Sequence, residues 1–189
     1  MKKIVVATGN KDKIREISAM LKDYEVISCK DAGFIGDIIE DGSTFYENAL
    51  IKAKTVSEAL NVDALADDSG ISVEYLNGEP GIYSARYSEE GTNEKNNEKL
   101  LQKMQGVEDR RAKFCCSLVL YKANGEIISA YGETLGEIMQ REEGTNGFGY
   151  DPLFYSYDLK KSLGVATDEE KNTISHRARA LRNLMEKLK

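Results

Sequence analysis

The sequence predicts an α/β or α+β domain. Three observations carry that expectation: β-branched runs that alternate with helical periodicity near the N-terminus, a strong hairpin signal in the middle, and an amphipathic C-terminal segment. With 189 residues and 41% hydrophobic content, the chain is long enough for one sizeable domain, or one domain with two lobes. No internal repeat, low-complexity tract or linker divides it, so residues 1–189 are read as one domain. A formal charge of −6 argues against broad binding to nucleic acid, whose phosphates demand an extended basic surface. An anionic ligand must meet a local basic pocket instead.

The run Lys3 to Ala7 is uninterrupted and β-branched, as a buried strand would be. Thr8-Gly9-Asn10 then turns the chain into a helix over Lys11 to Lys22, with Ile14, Ile17 and Leu21 on one face and Asn10 as N-cap. Tyr24 to Ser28 offers a second strand, and Asp31 to Gly42 a glycine-punctuated acidic loop. Thr44-Phe45-Tyr46-Glu47 has the capping-box pattern, and Phe45, Ala49, Ala53, Val56 and Leu60 continue it as a long helix. Short strands are expected at Ala64 to Ala66 and Ile71 to Tyr75, and turns at Asn77-Gly78 and Pro80-Gly81. Thr92 to Gln105, polar outside Leu100, Leu101 and Met104, reads as a surface helix stopped by Gly106. Arg111 to Tyr121 and Glu126 to Tyr131 flank the hairpin dipeptide Asn124-Gly125. Leu135 to Gln140 adds a strand, and the last helix begins near Ser175 and buries Ala178, Leu181, Leu184, Met185 and Leu188.

Four polar clusters fall on strand ends or loops, where binding residues are usually carried. Thr8-Gly9-Asn10-Lys11-Asp12-Lys13 opens a helix, so free backbone N–H groups and the dipole suit a phosphate, with Lys13 within reach. Simple helix capping is the alternative, and the Walker spacing is absent. Leu65-Ala66-Asp67-Asp68-Ser69-Gly70 carries adjacent carboxylates, which are expensive to bury and usually hold a cation or move a proton. Glu40 and Asp68 are candidate Mg²⁺ partners, because that hard ion is held by one or two carboxylates plus substrate phosphates. Alternation points Asp67 away from Asp68 and favours a turn role for it. Gly147-Phe148-Gly149-Tyr150-Asp151 joins flexible backbone to an aromatic plane that could stack on a base. Ser175-His176-Arg177 holds the single histidine, and a lone histidine at a helix start is more often a cap than a catalyst. Lys171 and Arg177 add cationic donors, and Lys52 could reach phosphate or simply be solvated.

Other chemistries are excluded. One histidine rules out a multi-histidine metal site, and no Ser-His-Asp or Cys-His arrangement is present. Cys29, Cys115 and Cys116 have no metal-like spacing, and the adjacent Cys115 and Cys116 read as small buried or half-buried side chains in a reducing compartment. The N-terminal apolar run is too short for a signal peptide and nothing approaches membrane length, so a cytoplasmic protein without membrane contact is expected.

With these strings in this order, the chain closely resembles the ITPase/RdgB family of inosine and xanthosine triphosphate pyrophosphatases. The resemblance runs from Ala7–Lys13 through Thr44–Ala49, Ala66–Gly70, Pro80–Tyr87 and Gly147–Pro152 to Ile174–Arg177. It implies a two-lobed α/β fold, with a long twisted mixed sheet flanked by helices and a central nucleotide cleft, and a homodimer. It also implies Mg²⁺-dependent hydrolysis of a purine nucleoside triphosphate to monophosphate and pyrophosphate. By position, Thr8, Gly9, Asn10, Lys11, Asp12, Lys13 and Lys52 would line the phosphates, and Glu40 and Asp68 would serve the metal. Asp68 would be the proton acceptor, while Ser69, Phe148, Gly149, Tyr150, Asp151, Lys171, His176 and Arg177 would contact substrate. The resemblance thus turns His176 toward a ligand contact. Asn146 departs from the family's frequent glycine, and Tyr131 to Gly136 is less typical. The rivals are a Maf-type pyrophosphatase for other modified nucleotides and a nucleotide-binding module that does not hydrolyse.

Overall fold

The computed structural model describes residues 2–189. Among the described residues seven strands make one sheet: β1 (Lys2–Val6), β2 (Tyr24–Ser28), β3 (Ala64–Val73), β4 (Arg111–Tyr121), β5 (Ile127–Ile138), β6 (Phe154–Ser156) and β7 (Lys161–Ser162), in the order β2-β1-β3-β4-β5-β6-β7. β1 pairs in parallel with β2 and with β3, whereas β6 runs antiparallel to β5 and β7. The sheet is therefore mixed. Helices α1 (Lys11–Met20) and α2 (Phe45–Leu60) lie in the β1–β2 and β2–β3 connections, which decides for α/β over α+β. The remaining α-helices among the described residues are α3 (Asn93–Lys103), α4 (Asp168–Ile174) and α5 (His176–Lys187), and short 3-10 turns span Gly81–Arg86 and Asp151–Leu153. No helix among the described residues is long and apolar enough to cross a membrane.

The chain divides into two compact units. The first holds the chain through Asp68, then Cys116–Gly132 and Arg177–Lys189; the second holds Ser69–Cys115 and Glu133–His176. In the first, both sheet faces are covered, which is why β1 shows no polar alternation. Ile4, Val6, Leu65 and Leu118 pack with Ile17 of α1, with Leu21 that caps it, and with Leu181 and Leu184 of α5. On the opposite face Val5, Ala7, Ala64, Ala66 and Val119 pack with Ala49, Ala53 and Val56 of α2. The second unit has its own core, in which Ile71, Val73, Leu100, Met104, Phe114, Leu153 and Phe154 meet.

Several elements differ from the sequence expectation. Two short strands were expected around Asp67-Asp68, with the carboxylates at a strand end; β3 instead runs unbroken from Ala64 to Val73. Partners on each face satisfy the acids, so the turn preference of Asp-Asp-Ser-Gly is overridden. The expected strand at Leu135 to Gln140 is the end of β5. A short helix, α4, precedes the C-terminal one and carries a complete capping box between Thr167 and Glu170. At the predicted box, Thr44 Oγ1 accepts from Glu47 N, but the Glu47 carboxylate turns to Ser43 N and Oγ. Helix α3 is not merely a surface helix, because Asn96 and Asn97 are buried.

Gly70 follows the acidic pair and leaves no room for a side chain: a Cβ there would collide with Ser84 Oγ and the Gly81 carbonyl. Ser84 is tied in place, accepting from Ile71 N at 2.9 Å and donating to Gly81 O at 2.6 Å. Gly70→Ala is expected to cost about 2 kcal/mol and to lower Tm by roughly 4–8 °C in thermal denaturation; an unchanged Tm would show that this contact is not tight.

Candidate active site

Alternation sends Asp67 and Asp68 to opposite faces of β3. Asp67 shares the Leu65 face, where α1 and α5 pack; Asp68 shares the Ala66 face, covered by α2. Asp67 is fully buried. Its Oδ2 accepts from Arg177 Nε at 3.2 Å and Nη2 at 2.9 Å, and pairs with Lys13 Nζ at 3.1 Å. Arg177 Nη1 donates to Glu16, one turn along α1 from Lys13. Burial alone would raise the Asp67 pKa, but Lys13 and Arg177, with Lys52 behind them, hold the carboxyl well below the usual range.

On the α2 face, Asp68 Oδ1 accepts from Lys52 Nζ at 3.1 Å and Oδ2 from Asn48 Nδ2 at 3.3 Å. Lys52 Nζ also donates to Glu40 Oε2 at 2.7 Å. Burial pushes the Asp68 pKa up; Lys52 and Lys13 oppose it, Glu40 adds to it, and the result is a raised value. Burial works against the Lys52 ammonium, yet Asp68, Asp67 and Glu40 together raise its pKa. Lys52 is thus a cation held between two carboxylates.

Among the described residues no group of three or more His, Cys, Asp or Glu could hold a metal. Glu40 Oε2 and Asp68 Oδ1 nevertheless share one cationic partner, accepting from Lys52 Nζ at 2.7 and 3.1 Å. Two hard oxygen donors fit Mg²⁺, which completes its shell with water and substrate phosphates.

The Thr8–Lys13 turn is built by its own side chains. Thr8 Oγ1 accepts from Asn10 N at 3.1 Å, and Asn10 Oδ1 accepts from Asp12 N at 2.9 Å and Lys13 N at 3.2 Å. Two N–H groups expected to be free for an anion are therefore occupied by the cap. Gly9 and Lys11 are exposed, and Asp12 pairs with Arg15 at 2.9 Å.

The second unit assembles the other candidates. Gly147 and Gly149 adopt φ of +72° and +63°, which L side chains avoid. Asp151 accepts from Phe148 N at 2.8 Å and Lys171 Nζ at 2.6 Å, both Asp151 and Lys171 being buried. The Lys171 ammonium lies 4.6 Å from the Phe148 ring centroid, a cation–π contact. Tyr150 donates its hydroxyl to the Ser84 carbonyl at 2.7 Å, and burial pushes its pKa up. His176 is buried and stacks on Phe114, with centroids 4.8 Å apart and planes 11° from parallel. Ser69 is half-buried.

The Ham1 family matches residues 4–187. The chain belongs to the Ham1 family. It is 46% identical to a dITP/XTP pyrophosphatase of Clostridium perfringens, over all of this chain and 98% of the relative. It is 47% identical to one of Lactiplantibacillus plantarum, over 97% and 93%. The Staphylococcus aureus Ham1 protein superposes with a TM-score of 0.89 at 44% identity, covering 99% of this chain and 98% of that one.

In this Ham1 chain the unit boundary falls inside two of the motifs, after Asp68 and after His176. Alternation favours a turn role for Asp67, whereas the structure makes it the anchor of Lys13 and Arg177. Glu16 and Asn48 were also missed, although each lies one helical turn from a candidate lysine, which is a usable signal.

Asp67→Asn is expected to destabilise the protein by about 3 kcal/mol, since it leaves buried cations uncompensated, as read from urea unfolding. A carboxyl held low contributes stability that is complete above the ordinary carboxylate range and lost as pH falls through the depressed value. The gap between wild type and Asp67→Asn should therefore stay flat from about pH 5 to about pH 8 and close only in strong acid. A gap that narrows near neutrality would contradict the assignment.

Proposed function

We propose that this chain is a nucleoside triphosphate pyrophosphatase that hydrolyses deaminated purine nucleotides (ITP, dITP and XTP) to the monophosphate and pyrophosphate, cleansing the nucleotide pool. The observation that carries the reading is the Asp68 carboxylate, hydrogen-bonded by Lys52 and Asn48 and sharing Lys52 with Glu40, in a chain so similar to dITP/XTP pyrophosphatases.

In this mechanism Asp68 takes a proton from the attacking water as its oxygen bonds the α-phosphorus and the α–β anhydride bond breaks, releasing pyrophosphate. Asn48 fixes the rotation of the Asp68 carboxylate through Oδ2. Lys13 and Lys52 present positive charge to the polyphosphate, with Thr8 to Asp12 shaping the turn beside it; Arg177, a substrate contact in the same reading, is held by Asp67 and Glu16. Mg²⁺, held by Glu40 and Asp68, would neutralise phosphate charge and acidify the water. Phe148 stacks on the purine, and Ser69, Gly149, Tyr150, Asp151, Lys171 and His176 complete the substrate contacts. A site whose donors meet a 6-keto oxygen leaves them unpaired when a 6-amino purine enters, and so rejects it. A homodimer belongs to the same proposal, as does a cytoplasmic setting, where free thiols such as Cys29, Cys115 and Cys116 persist.

Pyrophosphate release from ITP, dITP, XTP, ATP and GTP tests this reading. Asp68→Asn is expected to lower turnover by about 10²–10⁴-fold, the range of a lost general base. Chelation should abolish turnover and added Mg²⁺ restore it. Tight binding of dITP without turnover would instead make the protein a nucleotide-binding module, and turnover limited to other modified nucleotides would favour the Maf-type alternative.

A further inference from the structure

Helix α3 carries two adjacent buried asparagines. Asn96 donates to the Ser84 and Ala85 carbonyls and accepts from Ser88 N and Oγ. Asn97 donates through Nδ2 to Glu142 Oε1 at 2.6 Å and to the Gly149 carbonyl at 3.2 Å. Both of those partners can only accept, so the orientation of the Asn97 amide is forced. Its Oδ1 is buried with no hydrogen-bond partner among the described residues. A buried amide left half unsatisfied is costly, whereas an apolar side chain has no polar atom to leave unsatisfied. What asparagine supplies here is donation to the turn.

The turn needs such a restraint. Gly149 sits at φ +63°, and a Cβ there would meet nothing within 4 Å, so side-chain packing adds nothing to the one backbone bond that spans the turn, Asp151 N–H to the Phe148 carbonyl at 3.2 Å. A trans peptide points its carbonyl and the following N–H in opposite directions. By holding the Gly149 carbonyl toward α3, Asn97 turns the Tyr150 N–H away from that helix. It thereby sets the direction of a backbone donor between Phe148 and Asp151. The Tyr150 hydroxyl, anchored on the same Ser84 carbonyl that Asn96 engages, holds the other side of the turn to α3.

We propose that Asn97 is a positioning residue for base selection: it fixes the Gly149–Tyr150 peptide so that the turn discriminates a 6-keto from a 6-amino purine. The inference rests on the pyrophosphatase reading and extends it to a residue remote from the reacting phosphate.

The test is steady-state turnover of dITP and dATP by wild type, Asn97→Leu, Asn97→Ser and Glu142→Ala. For Asn97→Leu, KM for dITP should rise and the dITP:dATP ratio of kcat/KM fall about tenfold, the effect of one lost hydrogen bond, with kcat on dITP within about threefold of wild type. Asn97→Ser, which keeps a single shorter donor, should fall between. Glu142 is exposed, so Glu142→Ala should fold even if Asn97→Leu does not; freeing the amide from one of its two acceptors should lower the ratio about threefold. A lowered Tm with an unchanged dITP:dATP ratio in the folded variants would overturn the proposal and leave Asn97 a helix-packing residue. Failure of wild type to turn over dITP would defeat the pyrophosphatase reading itself, whereas normal wild-type turnover with unaltered variant ratios defeats only the role of Asn97.

Discussion

Two carboxylates adjacent in an extended strand cannot face the same way, and in β3 both are buried. Strand alternation therefore creates two separate electrostatic problems, one on each side of the sheet. Asp67 requires cations from α1 and α5, and takes Lys13 and Arg177. Asp68 requires one from α2, and takes Lys52. Because a buried charge without a partner costs several kcal/mol, this requirement selects which side chains those helices present at the sheet. The candidate cations are thus held in place before any ligand arrives.

The two acids consequently have different chemistry despite identical side chains. Asp67, flanked by cations and sealed from water, is fixed as an anion and serves as an anchor. Asp68 keeps slight exposure, shares its lysine with Glu40, and has its pKa raised by burial. That is the environment of a group that exchanges a proton or a cation. Divergent environments for paired carboxylates are a recurring route to distinct roles.

In the second unit the organising element is hydrogen bonding rather than charge density. Glycine-rich backbone at 147–151 can adopt many conformations, and its single conformation here is imposed by side chains of the segment itself together with partners from distant parts of the chain. Asp151 grips Phe148 N, Lys171 grips Asp151, Tyr150 reaches Ser84, and Asn97 holds Gly149. Flexibility that lets backbone approach a flat ligand is thereby combined with rigidity supplied from outside the loop.

The sequence by itself determined the local elements and the inventory of reactive groups. The apolar run of β1, the Asn10 cap, the α2 periodicity and the Asn124-Gly125 hairpin are short-range signals, and they are expressed as read. The motif strings also sufficed to point to the family. Only the tertiary structure decided that β3 passes unbroken through Asp67 and Asp68, that Asp67 anchors Lys13 and Arg177, and that Asn96 and Asn97 are interior. Each of those outcomes depends on partners far away in the chain: Arg177 lies 110 residues from Asp67, and Gly149 lies 52 from Asn97. Local propensity reports what a residue prefers when its surroundings are water. A buried polar group takes whatever conformation meets its partner, and only the folded chain identifies that partner.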